Sequence, residues 1–211
     1  MNKYGKKWAD DTNLVSIELW CYKNKLSVDV GGLGAAGHLK NAIQMLFPEI
    51  DPQGRRVYIW HPWMDRRIQS WCDEKFVTWW GPAASAKSTD AAMIALVDWY
   101  ADPSNTTTII CSTTLKMLRR RIFAEVVRFH KTLCRLNQQQ PPGSYKRSAD
   151  SFLFDPDQDE DDRSERAGIF GFAIQQGDKK KAKDDIIGQH NRRVRIIIDE
   201  AQHPDMEVAF D

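Results

Sequence analysis

The sequence has no long hydrophobic run. Its apolar stretches all break off far short of the roughly 20 residues that a membrane-spanning helix needs. The N-terminus, MNKYGKKWADDTN, carries lysines but neither an apolar core nor a small-residue cleavage site, so it does not read as a secretory signal. Together these absences point to the cytoplasm. Cysteine is scarce too: Cys21, Cys72, Cys111 and Cys134 are far apart and form no CxxC pair, which argues against a disulfide framework and against a zinc knuckle. The histidines, five in all, are too scattered to suggest a metal constellation. Net charge is also lacking, because 30 Lys and Arg against 29 Asp and Glu leave +1 and no global pull toward nucleic acid.

What is present is a globular composition, 42% hydrophobic and 28% charged over 211 residues, enough to bury a substantial core. Charge comes in blocks, with an acidic run from Asp155 to Glu165 followed by the lysines of GDKKKAKDD. Residues 1–70 read as a small, partly helical N-terminal subdomain. Within them Leu39, Ile43, Leu46 and Phe47 recur at helical spacing until Pro48 stops the pattern. The preceding GGLGAAG follows no clear buried strand, so it reads as a flexible connector rather than a dinucleotide fingerprint.

Residues 71–211 read as a core of alternating strands and helices. KFVTWW, from Lys75, is a β-prone run that leads into a small-residue loop, and STDAAMIALVDWY after it is apolar nearly all round, as a helix inside an α/β layer is. TTTIICS predicts a buried strand. A long helix follows, capped by Thr113 or Thr114, with a stripe at Leu115, Leu118, Ile122, Val126, Phe129, Leu133 and Leu136. NQQQPPGS closes that unit as a turn, and Ser151 to Phe154 and Gly168 to Ile174 read as short strands flanking an acidic hairpin loop. RRVRIIIDEAQ then gives a continuous apolar strand ending in two acids. This order predicts a three-layer α/β fold with a largely parallel sheet. Trp60, Trp63, Trp71, Trp79 and Trp80 are assigned to core and subdomain contacts rather than to base stacking.

The loop WWGPAASAKSTD nearly spells the phosphate-binding pattern GxxxxGK[ST]. Gly81, Pro82, Ala83, Ala84, Ser85 and Ala86 are small enough for backbone amides to approach an anion closely. Lys87 would reach the β- and γ-phosphates, the Ser88 hydroxyl would hold Mg²⁺, and Thr89 is counted with them among the nucleotide-binding residues. Ala86 stands where the second glycine belongs, and an alanine in left-handed backbone costs about 1 kcal/mol relative to glycine. The competing reading is an ordinary capped helix N-terminus. The second motif is IIIDEAQ, whose strand would deliver Asp199 to the Mg²⁺ shell and Glu200 to an attacking water. Alone, this DE pair reads equally as an exposed acidic turn. The two motifs in the right order, with strand and helix units between them, favour an ATP site.

GPAASAKSTDAAMIALVDWY, TTTIICSTTLKMLRRRIFAEV, IIGQHNRRVRIIIDEAQ and VDVGGLGAAGHLKNAIQMLFP together resemble the N-terminal ATPase portion of a tailed-bacteriophage terminase large subunit. The resemblance covers most of residues 26–211 and is carried by the combination, since the two nucleotide motifs alone occur in many ATPases. It implies a RecA-like P-loop ATPase core that hydrolyses ATP with Mg²⁺ to drive double-stranded DNA into a procapsid. It also implies a capsid portal protein and a terminase small subunit as partners, and a homo-oligomeric ring on the portal. Lys87 and Ser88 would then serve phosphate and Mg²⁺, Asp199 would serve Mg²⁺, and Glu200 would polarise water. The coupling motif and nuclease acids of that family do not occur before Asp211, and Ala86 departs from the family's glycine-containing loops. A nucleic-acid helicase fragment and a non-catalytic nucleotide- or procapsid-binding protein are the alternatives.

Other residues have two readings each. Gln69, upstream of Gly81, either reads the adenine edge or is an exposed polar residue on a helix. Ser112, Thr113 and Thr114 either relay toward DNA or cap the long helix. Arg119 to Arg121 and the lysines from Lys179 to Lys183 either contact the DNA backbone or belong to solvated surfaces.

Overall fold

A computed structural model describes residues 14–25, 33–82, 84–136, 141–147, 151–153, 167–174 and 191–200. In chain order the elements are α1 (Leu14–Lys23), α2 (Gly34–Leu46), α3 (Pro62–Asp73), α4 (Lys87–Ala101), β1 (Thr106–Ser112), α5 (Leu115–Arg120), α6 (Ile122–Leu136), β2 (Ser144–Lys146), β3 (Ser151–Leu153), β4 (Gly168–Ala173) and β5 (Arg193–Ile198). The chain divides into two compact units. One comprises Met1–Ala101 with Arg128–Pro141, and the other Asp102–Val127 with Pro142–Asp211. No helix among the described residues is long and apolar enough to cross a membrane.

The first unit is helical. Leu39, Ile43, Leu46 and Phe47 are buried, as their spacing predicts, and Phe47 meets Phe129 edge to face with ring centroids 5.0 Å apart. The expected flexible connector is corrected in part, because α2 already begins at Gly34. Packing overrides the weak helix propensity of glycine there: Ala36 and His38 are buried, and His38 Nδ1 lies 2.6 Å from Glu18 Oε2 of α1. Helix α4 is buried from Asp90 through Tyr100, in keeping with its apolar texture. Its two acids are not left bare, since Tyr58 Oη donates to Asp90 and Tyr22 Oη to Asp98.

KFVTWW does not form the expected strand. Phe76 and Trp80 are 84% and 81% exposed, while Trp79 turns back onto α3, its Nε1 donating to Ser70 Oγ at 3.0 Å. Side-chain contacts with a helix therefore replace a ladder partner, a context effect that β-propensity does not encode. The tryptophans divide accordingly. Trp60, Trp71 and Trp79 are half-buried, whereas Trp63 and Trp80 are exposed rather than core.

The second unit is built on a five-stranded sheet in the order β2-β3-β4-β1-β5. It confirms an α/β fold, but the sheet is mixed rather than largely parallel. β1 runs parallel to β4 and β5, while β2–β3 and β3–β4 are antiparallel. For β2 and β3 the reason is connection length: the link from Lys146 to Ser151 is too short for the crossover that a parallel pair requires. At Gly168 a side-chain methyl would run into the Phe152 carbonyl oxygen, so the close approach of β3 and β4 requires glycine. Ile109, Cys111 and Ile174 form a buried cluster with Phe172 and Ile198 against it.

Two further expectations change. The long helix is broken at Arg121 (φ −110°, ψ −110°) into α5 and α6, although Leu118, Ile122, Val126, Phe129 and Leu133 are all buried on its stripe. Thr114 is the cap, its side chain accepting from the Met117 amide at 3.1 Å. Strand β5 is not continuously buried. Among the described residues it lies at the sheet edge, with Val194 and Ile196 exposed.

Candidate functional site

The small-residue loop stands immediately before α4, in the first unit. Ala84 and Ala86 adopt left-handed backbone, φ 61° and 59°, so the position that lacks its glycine does take the conformation glycine favours. Ser85 lies between them without a positive φ. Left-handed residues are a component of the nests in which successive backbone amides converge on an anion. Lys87 folds back over the loop: its Nζ donates to the carbonyl oxygens of Gly81 at 2.7 Å and Pro82 at 2.9 Å, and to Ser85 Oγ at 3.1 Å. Lys87 is thus held at the loop by neutral acceptors that an anion can outbid. Ser88 and Thr89 are half-buried in the first turn of α4, and the Asp90 amide donates to the Ala86 carbonyl at 2.8 Å. Ala83 lies outside the described residues.

Beneath the loop is a charged cluster that sequence reasoning missed. Arg67 of α3 donates through Nη1 to Asp90 Oδ2 and through Nη2 to the Ser85 carbonyl at 3.0 Å. Tyr58 Oη donates to Asp90 Oδ1 at 2.8 Å, and burial, reinforced by that carboxylate, pushes the Tyr58 phenol far above its usual range, keeping it a donor. His61 accepts the Met64 amide at Nδ1, and its Nε2 shares a 3.2 Å hydrogen bond with Tyr58 Oη and lies 3.3 Å from Asp90 Oδ2. Two donors, Tyr58 and Arg67, therefore compensate one fully buried carboxylate, with His61 beside them. The signal for this cluster in the sequence is an acid, Asp90, in the first turn of a mostly apolar helix.

In the second unit the acids stand at the carboxyl end of β5. The Asp199 amide donates to the Cys111 carbonyl at 2.9 Å, which sets Asp199 level with Ser112 at the end of β1. Parallel strands leave such ends as the crevice in which α/β proteins place ligands. Glu200 has φ 61° and its carboxylate pairs with Arg121, at the break between α5 and α6. Thr114 and Thr113 are occupied locally, Thr113 Oγ1 donating to Met117 Sδ at 3.3 Å. The structure thus gathers Gly81 to Ser88 in one unit, and Asp199, Glu200 and Arg121 in the other.

The Ser88 hydroxyl and the Asp199 carboxylate are hard oxygen donors that suit Mg²⁺. Among the described residues no three His, Cys, Asp or Glu side chains converge on a metal position. Mg²⁺ needs no such cage, because it commonly keeps waters and substrate oxygens in its shell. Gln69 is exposed on α3 and donates to Asp73 of the same helix. Arg119 and Arg120 are exposed, and Lys179 to Lys183 lie outside the described residues.

No family model, curated protein or solved structure matches the chain.

Proposed function

We propose that the chain is the ATPase motor portion of a viral DNA-packaging terminase, with a RecA-like core, hydrolysing ATP to move double-stranded DNA into a procapsid. The observation that carries the nucleotide part is the loop itself: two left-handed residues and a lysine folded over the loop carbonyls, directly before a buried helix. The second support is the acid pair at the carboxyl end of a strand that runs parallel to β1. The packaging role, with portal protein, small subunit and a homo-oligomeric ring as partners, rests on the family resemblance of the sequence.

In this reading Lys87 exchanges its loop carbonyls for the β- and γ-phosphates, and the loop amides take the remaining phosphate oxygens. Ser88 and Asp199 would each serve as ligands for Mg²⁺, which would supply charge neutralisation on the phosphates. Glu200 accepts a hydrogen bond from the attacking water and orients it in line with the γ-phosphate. Catalysis is then mostly positioning and electrostatics. A nucleotide-binding module without turnover is the second reading, favoured by the tie between Glu200 and Arg121.

Phosphate release, measured with and without DNA and procapsid, tests the proposal on wild type, Lys87→Ala and Glu200→Gln. ATP binding that is lost in Lys87→Ala, with hydrolysis that is lost in Glu200→Gln, supports the motor. Wild type that binds ATP yet hydrolyses it no faster than Glu200→Gln sinks the motor and leaves the binding module.

A further inference from the structure

The residue between the two left-handed alanines is tied down from two sides. Arg67 Nη2 holds the Ser85 carbonyl at 3.0 Å and Lys87 Nζ holds Ser85 Oγ at 3.1 Å. Arg67 is itself fixed. Its side chain is 8% exposed, its other nitrogen is on Asp90, and its guanidinium lies 5.8 Å from the centroid of the Trp79 ring. The Ser85 carbonyl belongs to the peptide that precedes Ala86, so any relaxation of φ at Ala86 toward negative values must swing either that oxygen or the start of α4. Arg67 restrains both at once, because Asp90 is in the first turn of α4 and accepts the other half of the same planar fork.

We propose that Arg67 stands in for the absent glycine: by pinning the 85–86 peptide plane to the start of α4, it keeps Ala86 left-handed and the loop shaped to receive phosphate. It is a positioning residue that touches no phosphate. The consequence for ATP rests on the nucleotide reading above, whereas the conformational role does not.

A double-mutant cycle separates the two. Wild type, Arg67→Lys, Ala86→Gly and the double variant are compared by hydrogen exchange of the amides from Ala84 to Ser88 without nucleotide, and by titration with a fluorescent ATP analogue and Mg²⁺. Lysine keeps a charge for Asp90 but cannot bridge two acceptors as a planar fork does. Loss of one charge-assisted hydrogen bond is expected to speed loop exchange roughly tenfold in Arg67→Lys and to weaken the analogue by a similar factor. In the Ala86→Gly background the same change is expected to alter exchange by less than about threefold, because no left-handed alanine remains to relax. Equal acceleration in both backgrounds, or none in either, overturns the proposal. If Arg67→Lys does not fold, the pair Arg67→Met with Asp90→Asn, which removes both charges, carries the same comparison. A wild type that binds no analogue refutes the nucleotide reading, and exchange still decides the role of Arg67.

Discussion

Arg67 and Asp90 form a guanidinium–carboxylate pair almost out of solvent, with side chains 8% and 0% exposed. Breaking such a pair from one side leaves an uncompensated buried charge. Asp90→Ala is therefore expected to destabilise the protein by about 3–5 kcal/mol, whereas Asp90→Asn combined with Arg67→Met recovers most of that loss. Urea unfolding of the single and double variants checks this. A double variant as unstable as Asp90→Ala would mean that the pair itself, not the orphaned charge, carries the energy.

Ala86→Gly should stabilise rather than destabilise. Relief of left-handed strain is worth about 1–2 kcal/mol, and the extra freedom of glycine in the unfolded chain returns about 0.4–1 kcal/mol of it. A net gain on the order of 0.5–1 kcal/mol is expected in the same urea measurement. Turnover in the phosphate-release assay should rise as well if the alanine holds catalysis back.

His130 introduces a pH dependence into stability. It is buried, its Nδ1 shares a 2.7 Å hydrogen bond with Tyr100 Oη, and burial lowers its pKa to about 4. The folded state thus favours neutral imidazole, and the unfolded chain takes up the proton first, near its ordinary value of about 6.5. Stability from this group is complete above that value and is lost as pH falls from about 6.5 to about 4, by on the order of 3 kcal/mol at most. His130→Gln should flatten the thermal midpoint across that window.

The Arg121–Glu200 pair is half-exposed, 47% and 22%, so it belongs with surface ion pairs. Arg121→Ala is expected to change stability by no more than about 1 kcal/mol. Hydrolysis in Arg121→Ala is the informative measurement, because an altered rate with unchanged stability would show that the pair governs where the Glu200 carboxylate rests.

Local pattern carried much of this fold and little of its long-range wiring. The stripes through Leu39 and Ile43, and through Leu118, Val126 and Leu133, are periodic and were legible. So was the left-handed demand at residue 86, because it follows from the loop pattern. The break at Arg121 was not, since its neighbours continue the helical stripe without a glycine or proline to mark it. KFVTWW reads as strand by propensity, yet Trp79 goes to Ser70 and Arg67, partners on the preceding helix that the propensity of the run itself does not encode. Asp90 was invisible as an anchor for the same reason: Tyr58, His61 and Arg67 come from earlier segments of the chain.

The outer side of β5 bears on handling of the protein. Val194 and Ile196 stand 39% and 47% exposed on the last strand described in the sheet, in alternation with Arg193 and Arg195. Among the described residues no further strand pairs with β5 beyond β1, and an edge of that kind carrying exposed apolar side chains is a template for another strand that a charge placed on it would keep away. Concentrated stocks of Ile196→Lys should therefore remain clear longer than wild type, as read by turbidity at rising protein concentration.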